Sequence, residues 1–449
     1  MLNSSFTPEQ KRELFMKAYN DNKEKVDARI EQGIEQNRKG EGKIQFIDSC
    51  GKPLANKKVK LTQKTHDFKY GANIFLLDEF KSEADNAEYR RMFKEYFNLA
   101  TVPFYWDTLE PKENKPRYAA DSPKVYRRPA PDLCLDYCNQ SGIDAKLHCL
   151  VYEHFVPEWL KKRPLEQIKA KYEERFKQIS ERYAGKLMEF EVINELLCYW
   201  NESAMSRHKD ILEWSFDLAR KYFPDETLVI NEGSLLCDIA AKDYKNPYYM
   251  MIENTLLKGS TIDKIGIQNH MFVGANRTTD EGYDASIKEH AHMTNPLSVF
   301  KGLDILSEFN LPLEITEVTF ATLGDSEEDE DLQADILKLM YSVWFSHPAI
   351  DTVVYWNTVD GYTYDSGNGW NENNCIGGLF HHDLTPKKSA LMLKKLFNEL
   401  WHTECELTTD ENGCVSFRGF YGNYDALCDG KTAEFGLHKE SDKNYILKI

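Results

Sequence analysis

Glu189-Phe190-Glu191-Val192-Ile193-Asn194-Glu195 and Pro312-Leu313-Glu314-Ile315-Thr316-Glu317-Val318 are the stretches that decide how this 449-residue chain folds. Each has an apolar, β-branched centre and carries a carboxylate at or next to its end. Runs this short are strands rather than helices, and apolar residues side by side in them point to burial on both faces, as in a parallel sheet. Working outward, similar runs lie at 68–75, 99–106, 145–152, 227–231, 264–270 and 352–356. Amphipathic stretches separate them. Ile168, Tyr172, Phe176 and Ile179 recur at helical spacing over 165–183. Residues 332–345 follow an acidic turn, Glu327 to Glu330, that suits the positive end of a helix, and 391–400 close the series. Eight such units over 67–401 predict an α/β fold, a (β/α)8 TIM barrel with insertions. A doubly wound open sheet would begin with a Gly-rich phosphate loop after its first strand, and the sequence has none.

The flanks read differently. Within an N-terminal helical segment, 1–40, residues 7–38 form one polar helix, with Thr7 as N-cap, Pro8 at the first helical position and Gln10 completing a capping box. Residues 41–66 alternate as two short strands around Gly51-Lys52-Pro53. Residues 402–449 alternate again, with a hairpin signal at Asn412-Gly413. The expectation is a barrel with small β appendages at its N- and C-terminal ends, capping it and free to pair with one another.

A net charge of −17 argues against a nucleic-acid partner, which needs a basic patch, and against an anionic membrane or a polyanionic substrate, but not against a neutral one. The start of the chain has no basic segment followed by an apolar run, so no signal peptide is read there. No stretch is long and apolar enough to span a membrane as a helix. Ten scattered cysteines lack paired zinc spacing and read as free, mostly buried thiols, so a cytoplasmic, reducing setting is expected; a trimmed secreted form would read the same way. Oligomeric state has no signature here.

In a barrel of this kind the active site lies at the carboxyl end of the strands. Glu195 and Glu317 end the fourth and seventh strand candidates, where their side chains can converge. Two such carboxylates suggest glycoside hydrolysis by an acid and a nucleophile, and Asn194 beside the first can hold a sugar 2-hydroxyl. Glu191 and Glu314 stand nearer the starts of the same strands and are left out of the site. His381 and His382 read as solvated.

The surrounding motifs carry a specific resemblance. Val192-Ile193-Asn194-Glu195, Ile315-Thr316-Glu317 and Ile265-Gly266-Ile267-Gln268-Asn269-His270 fit three motifs in full. Leu147-His148-Cys149-Leu150-Val151-Tyr152-Glu153 fits a fourth in part, and Trp356 and the segment 378–387 fit two more. Over residues 66–401 the chain resembles glycoside hydrolase family 10, the family of endo-β-1,4-xylanases. The resemblance implies a retaining enzyme acting on xylan or a related β-glycan without metal or cofactor. It implies Glu195 as acid/base, Glu317 as nucleophile, His270 as the partner holding Glu317, His148 and Gln268 as sugar contacts and Trp356 as a wall of the site. The chain also departs from the family. On the second strand the expected Asn and Lys are Val102 and Tyr105, and on the third the expected Trp and His are Tyr152 and Glu153. Tyr364 stands where a second Trp is usual, and Trp370 can take its place. These changes open a second reading, an exo-acting β-glycosidase of the same clan on short oligosaccharides or plant glycosides. A third is a carbohydrate-binding protein without catalysis.

Overall fold

In the computed structural model, which describes residues 3–199 and 201–449, the eight apolar runs become one closed barrel. Its strands are Lys69–Asn73, Leu99–Pro103, Asp144–His148, Glu189–Asn194, Thr227–Glu232, Lys264–Met271, Leu313–Phe320 and Ile350–Tyr355. They bond in chain order, all parallel, and the eighth closes on the first. The seventh strand is buried along its whole length, as its unbroken apolar pattern requires. The helices lie outside. Leu165–Tyr183 forms as its spacing predicts, with Ile168, Tyr172, Phe176 and Ile179 buried. Glu327–Ser346 starts at its N-cap Ser326, whose side chain accepts from the Asp329 N–H, and keeps its four acids in the first turn.

The fourth and seventh strands each carry an extra residue near the mouth. On the fourth strand Glu191 faces Val229 and Ile193 faces Ile230, so Val192 is passed over. On the seventh Ile315 faces Ile267 and Glu317 faces Gln268, so Thr316 is passed over. Such β-bulges re-aim the residues that follow them. The seventh strand also runs on to Phe320, so Glu317 lies within it rather than at its end.

The flanking segments differ from expectation in the helix and match it in the pairing of the strands. Residues 7–38 are two helices, Pro8–Asn20 and Lys23–Asn37. The capping box at Thr7 and Gln10 forms as read. Asn20-Asp21-Asn22 breaks the run, because three poor helix formers meet there and the Asn22 side chain turns back to donate to the Ala18 carbonyl at 2.9 Å. The β appendages, in turn, are one unit. Lys39–Ile47 lies between Cys414–Phe420 and Asn444–Lys448, and Lys58–Gln63 between Glu404–Thr408 and Gly422–Cys428, whose other neighbour is Lys431–Leu437. Two strands alone cannot bury a face. Joined, they enclose a separate core around Phe46, Leu61, Phe417 and Tyr424. All ten cysteines are unpaired, six of them buried. Among the described residues no helix is long and apolar enough to cross a membrane.

Candidate active site

A cleft of about 600 Å³ opens at the carboxyl end of the barrel strands, and every site residue expected from sequence lines it: Tyr105, His148, Tyr152, Asn194, Glu195, Gln268, His270, Glu317, Trp356 and Trp370. Glu195 follows directly on the fourth strand with φ 52, in the left-handed region that a side chain other than glycine rarely adopts. Its N–H donates to the Asn231 carbonyl at 3.2 Å, and that bond holds the turn at the mouth.

One amide joins the two carboxylates. The Gln268 Nε2 donates to Glu195 Oε1 at 2.8 Å and to Glu317 Oε1 at 3.0 Å. The two oxygens are therefore no farther apart than these two hydrogen bonds laid end to end. Glu317 also accepts from Asn231 Nδ2 at 3.0 Å and from His270 Nε2 at 3.1 Å. Burial pushes His270 down to about 4, so it is neutral, and its Nδ1 takes the Thr319 hydroxyl at 3.0 Å. Its contact with Glu317 is thus a hydrogen bond rather than an ion pair. Glu195 accepts in addition from the Tyr152 hydroxyl.

Burial pushes the Glu317 carboxyl well above the usual carboxylate range; the Glu195 and Glu191 carboxylates add to that, while the charge of His148 and the Asn231 amide oppose it. Three N–H groups, from Asn231, Gln268 and His270, converge on Glu317, and hydrogen bonds of this kind favour its charged form against the burial. His148 lies beneath. Its Nδ1 meets Glu191 Oε2 at 2.6 Å and its Nε2 the Tyr105 hydroxyl at 3.0 Å. Burial disfavours charge on this imidazole, yet the Glu191 carboxylate outweighs burial and raises its pKa. The Asn194 carbonyl oxygen accepts from Asn231 and Gln268, which leaves its NH2 without a partner among the described residues. Trp370 stands edge-on to Phe272, with its N–H toward Glu372 at 3.4 Å, and Tyr364 lines the cleft beside it.

Sequence reading missed Asn231, Arg127 and Arg128. Asn231 had a signal, since Asn231-Glu232 ends the fifth strand as Asn194-Glu195 ends the fourth. The two arginines sit in the long loop after the second strand, with nothing in the sequence to tie them to the cleft.

A closed parallel barrel with bridged carboxylates at its mouth defines the class of glycoside-hydrolase barrels. The chain belongs to glycosyl hydrolase family 10, whose model matches residues 64–395. It is 24% identical over 398 residues to anti-sigma-I factor RsgI6 of Acetivibrio thermocellus, covering 87% of this chain and 45% of that protein. To endo-1,4-beta-xylanase 1 of Arabidopsis thaliana it is 24% identical over 423 residues, 91% of this chain and 39% of that one. The chain thus spans less than half the length of these relatives. In fold it is similar to xylanase 10B from Thermotoga petrophila RKU-1, solved in complex with xylobiose, with a TM-score of 0.58 and 20% identity over 74% of this chain and 95% of that one.

Proposed function

We propose that the protein is a retaining β-glycosidase acting on xylan or a related plant β-glycan, with Glu317 as nucleophile and Glu195 as acid/base. The observation that carries this reading is the Gln268 bridge. It keeps the carboxylate oxygens closer than the ~6.5 Å or more that an inverting pair needs to admit a water between acid and base. Glu317, held by Asn231, Gln268 and His270, attacks the anomeric carbon. Glu195 protonates the departing glycosidic oxygen and then takes a proton from the water that releases the sugar. The Tyr152 hydroxyl aims the Glu195 carboxyl. The free NH2 of Asn194 suits the sugar 2-hydroxyl, a contact that strengthens as the ring becomes oxocarbenium-like. The names of the xylanase relatives support the substrate class. Proton NMR of the first product from an aryl β-xyloside or a xylo-oligosaccharide tests it. The β-anomer is expected, and the α-anomer would overturn retention.

One observation favours a second reading, exo action on short oligosaccharides. Arg127 Nη1 donates to the Tyr362 carbonyl and ties the loop after the second strand to the loop after the eighth, which walls one side of the cleft. A ladder of products from polymer supports endo action; single sugars released from one end support exo action.

A further inference from the structure

The wall formed by the second-strand loop contains a cation, Arg128, that forms no ion pair among the described residues. The Arg128 guanidinium lies 3.8 Å over the Tyr105 ring, 5.2 Å from that of Phe75 and 5.7 Å from that of Phe155. Its one hydrogen bond runs from Nη1 to the Arg127 carbonyl at 2.9 Å, and its Nε has no acceptor. No carboxylate oxygen lies within 4.0 Å of it among the described residues. Arg127 beside it also lacks an acceptor at Nε, but its Nη1 donates to the Tyr362 carbonyl across the wall, and several other half-buried or buried arginines are fully engaged. Arg90 pairs with Asp78 and Arg163 with Glu113. Arg175 donates to the Phe104, Leu150 and Cys149 carbonyls, and Arg117 to those of Thr108, Pro123 and Arg128.

Arg128 is also held in place. Its N–H donates to the Val125 carbonyl at 2.9 Å, and its own carbonyl accepts from Arg117. The acid nearest in effect, Asp107, is itself buried and its carboxyl is pushed up by that burial against the pull of Arg128. A guanidinium packed among aromatic rings loses hydration that one backbone carbonyl does not replace. A ligand carrying a carboxylate or a sulfate would replace it, because the arginine fork fits planar and tetrahedral oxyanions alike.

We propose that Arg128 makes the Tyr105 side of the cleft a subsite for a negatively charged sugar, one bearing a uronate carboxylate or a sulfate ester. The proposal rests on the glycosidase reading of the site and narrows its substrate class. On this second strand the family resemblance expects an Asn and a Lys that grip neutral hydroxyls, and the chain has Val102 and Tyr105 instead. In this chain the cation stands on the loop, over the tyrosine ring. The net charge of −17 opposes an anion only weakly at this spot, because charges beyond roughly 10 Å are screened at physiological salt while direct contact with Arg128 is not.

The test uses the full chain and three matched xylo-oligosaccharides: one neutral, one carrying glucuronate, one carrying a sulfate ester. One charged ligand is expected to exceed the neutral one in kcat/KM by about tenfold or more, the size of one charge-assisted contact. Arg128→Gln should erase that ratio, Arg128→Lys should restore part of it, and added salt should shrink it. Which charged ligand gains distinguishes uronate from sulfate. Equal or lower kcat/KM on both charged ligands, or a ratio that survives Arg128→Gln, overturns the subsite. Calorimetric binding of the same three ligands to the wild type and to Arg128→Gln reads the same ratio without turnover. Hydrolysis of none of them therefore counts against the glycosidase reading alone, and hydrolysis without charge preference counts against the subsite alone.

Discussion

The barrel interior holds glutamates in two settings, its floor and its mouth. On the floor, Lys146 meets Glu314, Glu191 at 3.0 Å and Glu189 at 3.5 Å, and Lys264 meets Glu189 and, at 2.9 Å, Asp351. Burial works to raise Glu189 and Glu191, yet these ammonium groups outweigh it and hold both below the usual range. At the mouth, Glu195 and Glu317 have amides, a phenol and a neutral imidazole for partners, and no ammonium within ion-pair distance among the described residues. Lysines hold Glu189 and Glu191 as anions on the floor, while burial and the neighbouring Glu189 push the third floor acid, Glu314, well up; at the mouth the partners carry no formal charge. Neutral donors orient a carboxylate without locking its charge; a buried lysine can also hold it ionised, as at Glu189 and Glu191.

The largest test of this contrast is at the mouth. Glu317→Ala and Glu195→Ala should each lower turnover of an activated aryl β-glycoside by about 10⁴-fold or more with little loss of stability, and azide should rescue one or both. Near-normal turnover in either variant would end the catalytic assignment.

On the floor the ranking should reverse. Lys146→Met leaves buried carboxylates uncompensated and should cost about 3–5 kcal/mol in denaturant unfolding at neutral pH. A cost below about 1 kcal/mol would mean that the lysine does not hold the floor together.

The smallest effect is the pH dependence of the wild type. The folded-state pKa of Glu191 is lowered, so its contribution to stability is present above the unfolded value of about 4.3 and is lost as pH falls through the lower folded value. The part of the denaturation midpoint that Glu191 contributes should hold down to about pH 4.5 and be lost below it. Glu191→Gln should flatten that fall, and an unchanged slope in the variant would remove Glu191 from the account.

Much of this was legible in the sequence. The eight runs became the eight strands, and Leu165–Tyr183 formed where its spacing put it. The ten candidate site residues read from the sequence line one cleft. The floor network was not legible. Glu191 and Glu314 stand too far from the mouth to be read as site residues, and Lys146 and Lys264 carry no signal until closure of the barrel brings five strands' side chains together. Arg128 was invisible for a similar reason: a loop residue acquires a role only from the wall it joins.

The sequence by itself determined the barrel, through the period and length of its apolar runs, and the residue types at the mouth, through motifs whose order follows the strands. Convergence was decided by the tertiary structure. Strict alternation would aim Glu191, Ile193 and Glu195 one way and Glu317 opposite to Thr316. The bulges at Val192 and Thr316 shift the count by one, so that Asn194, Thr316 and Glu317 all reach the Asn231 amide. A bulge depends on how a strand pairs with its neighbours, and that pairing is settled only when the barrel closes.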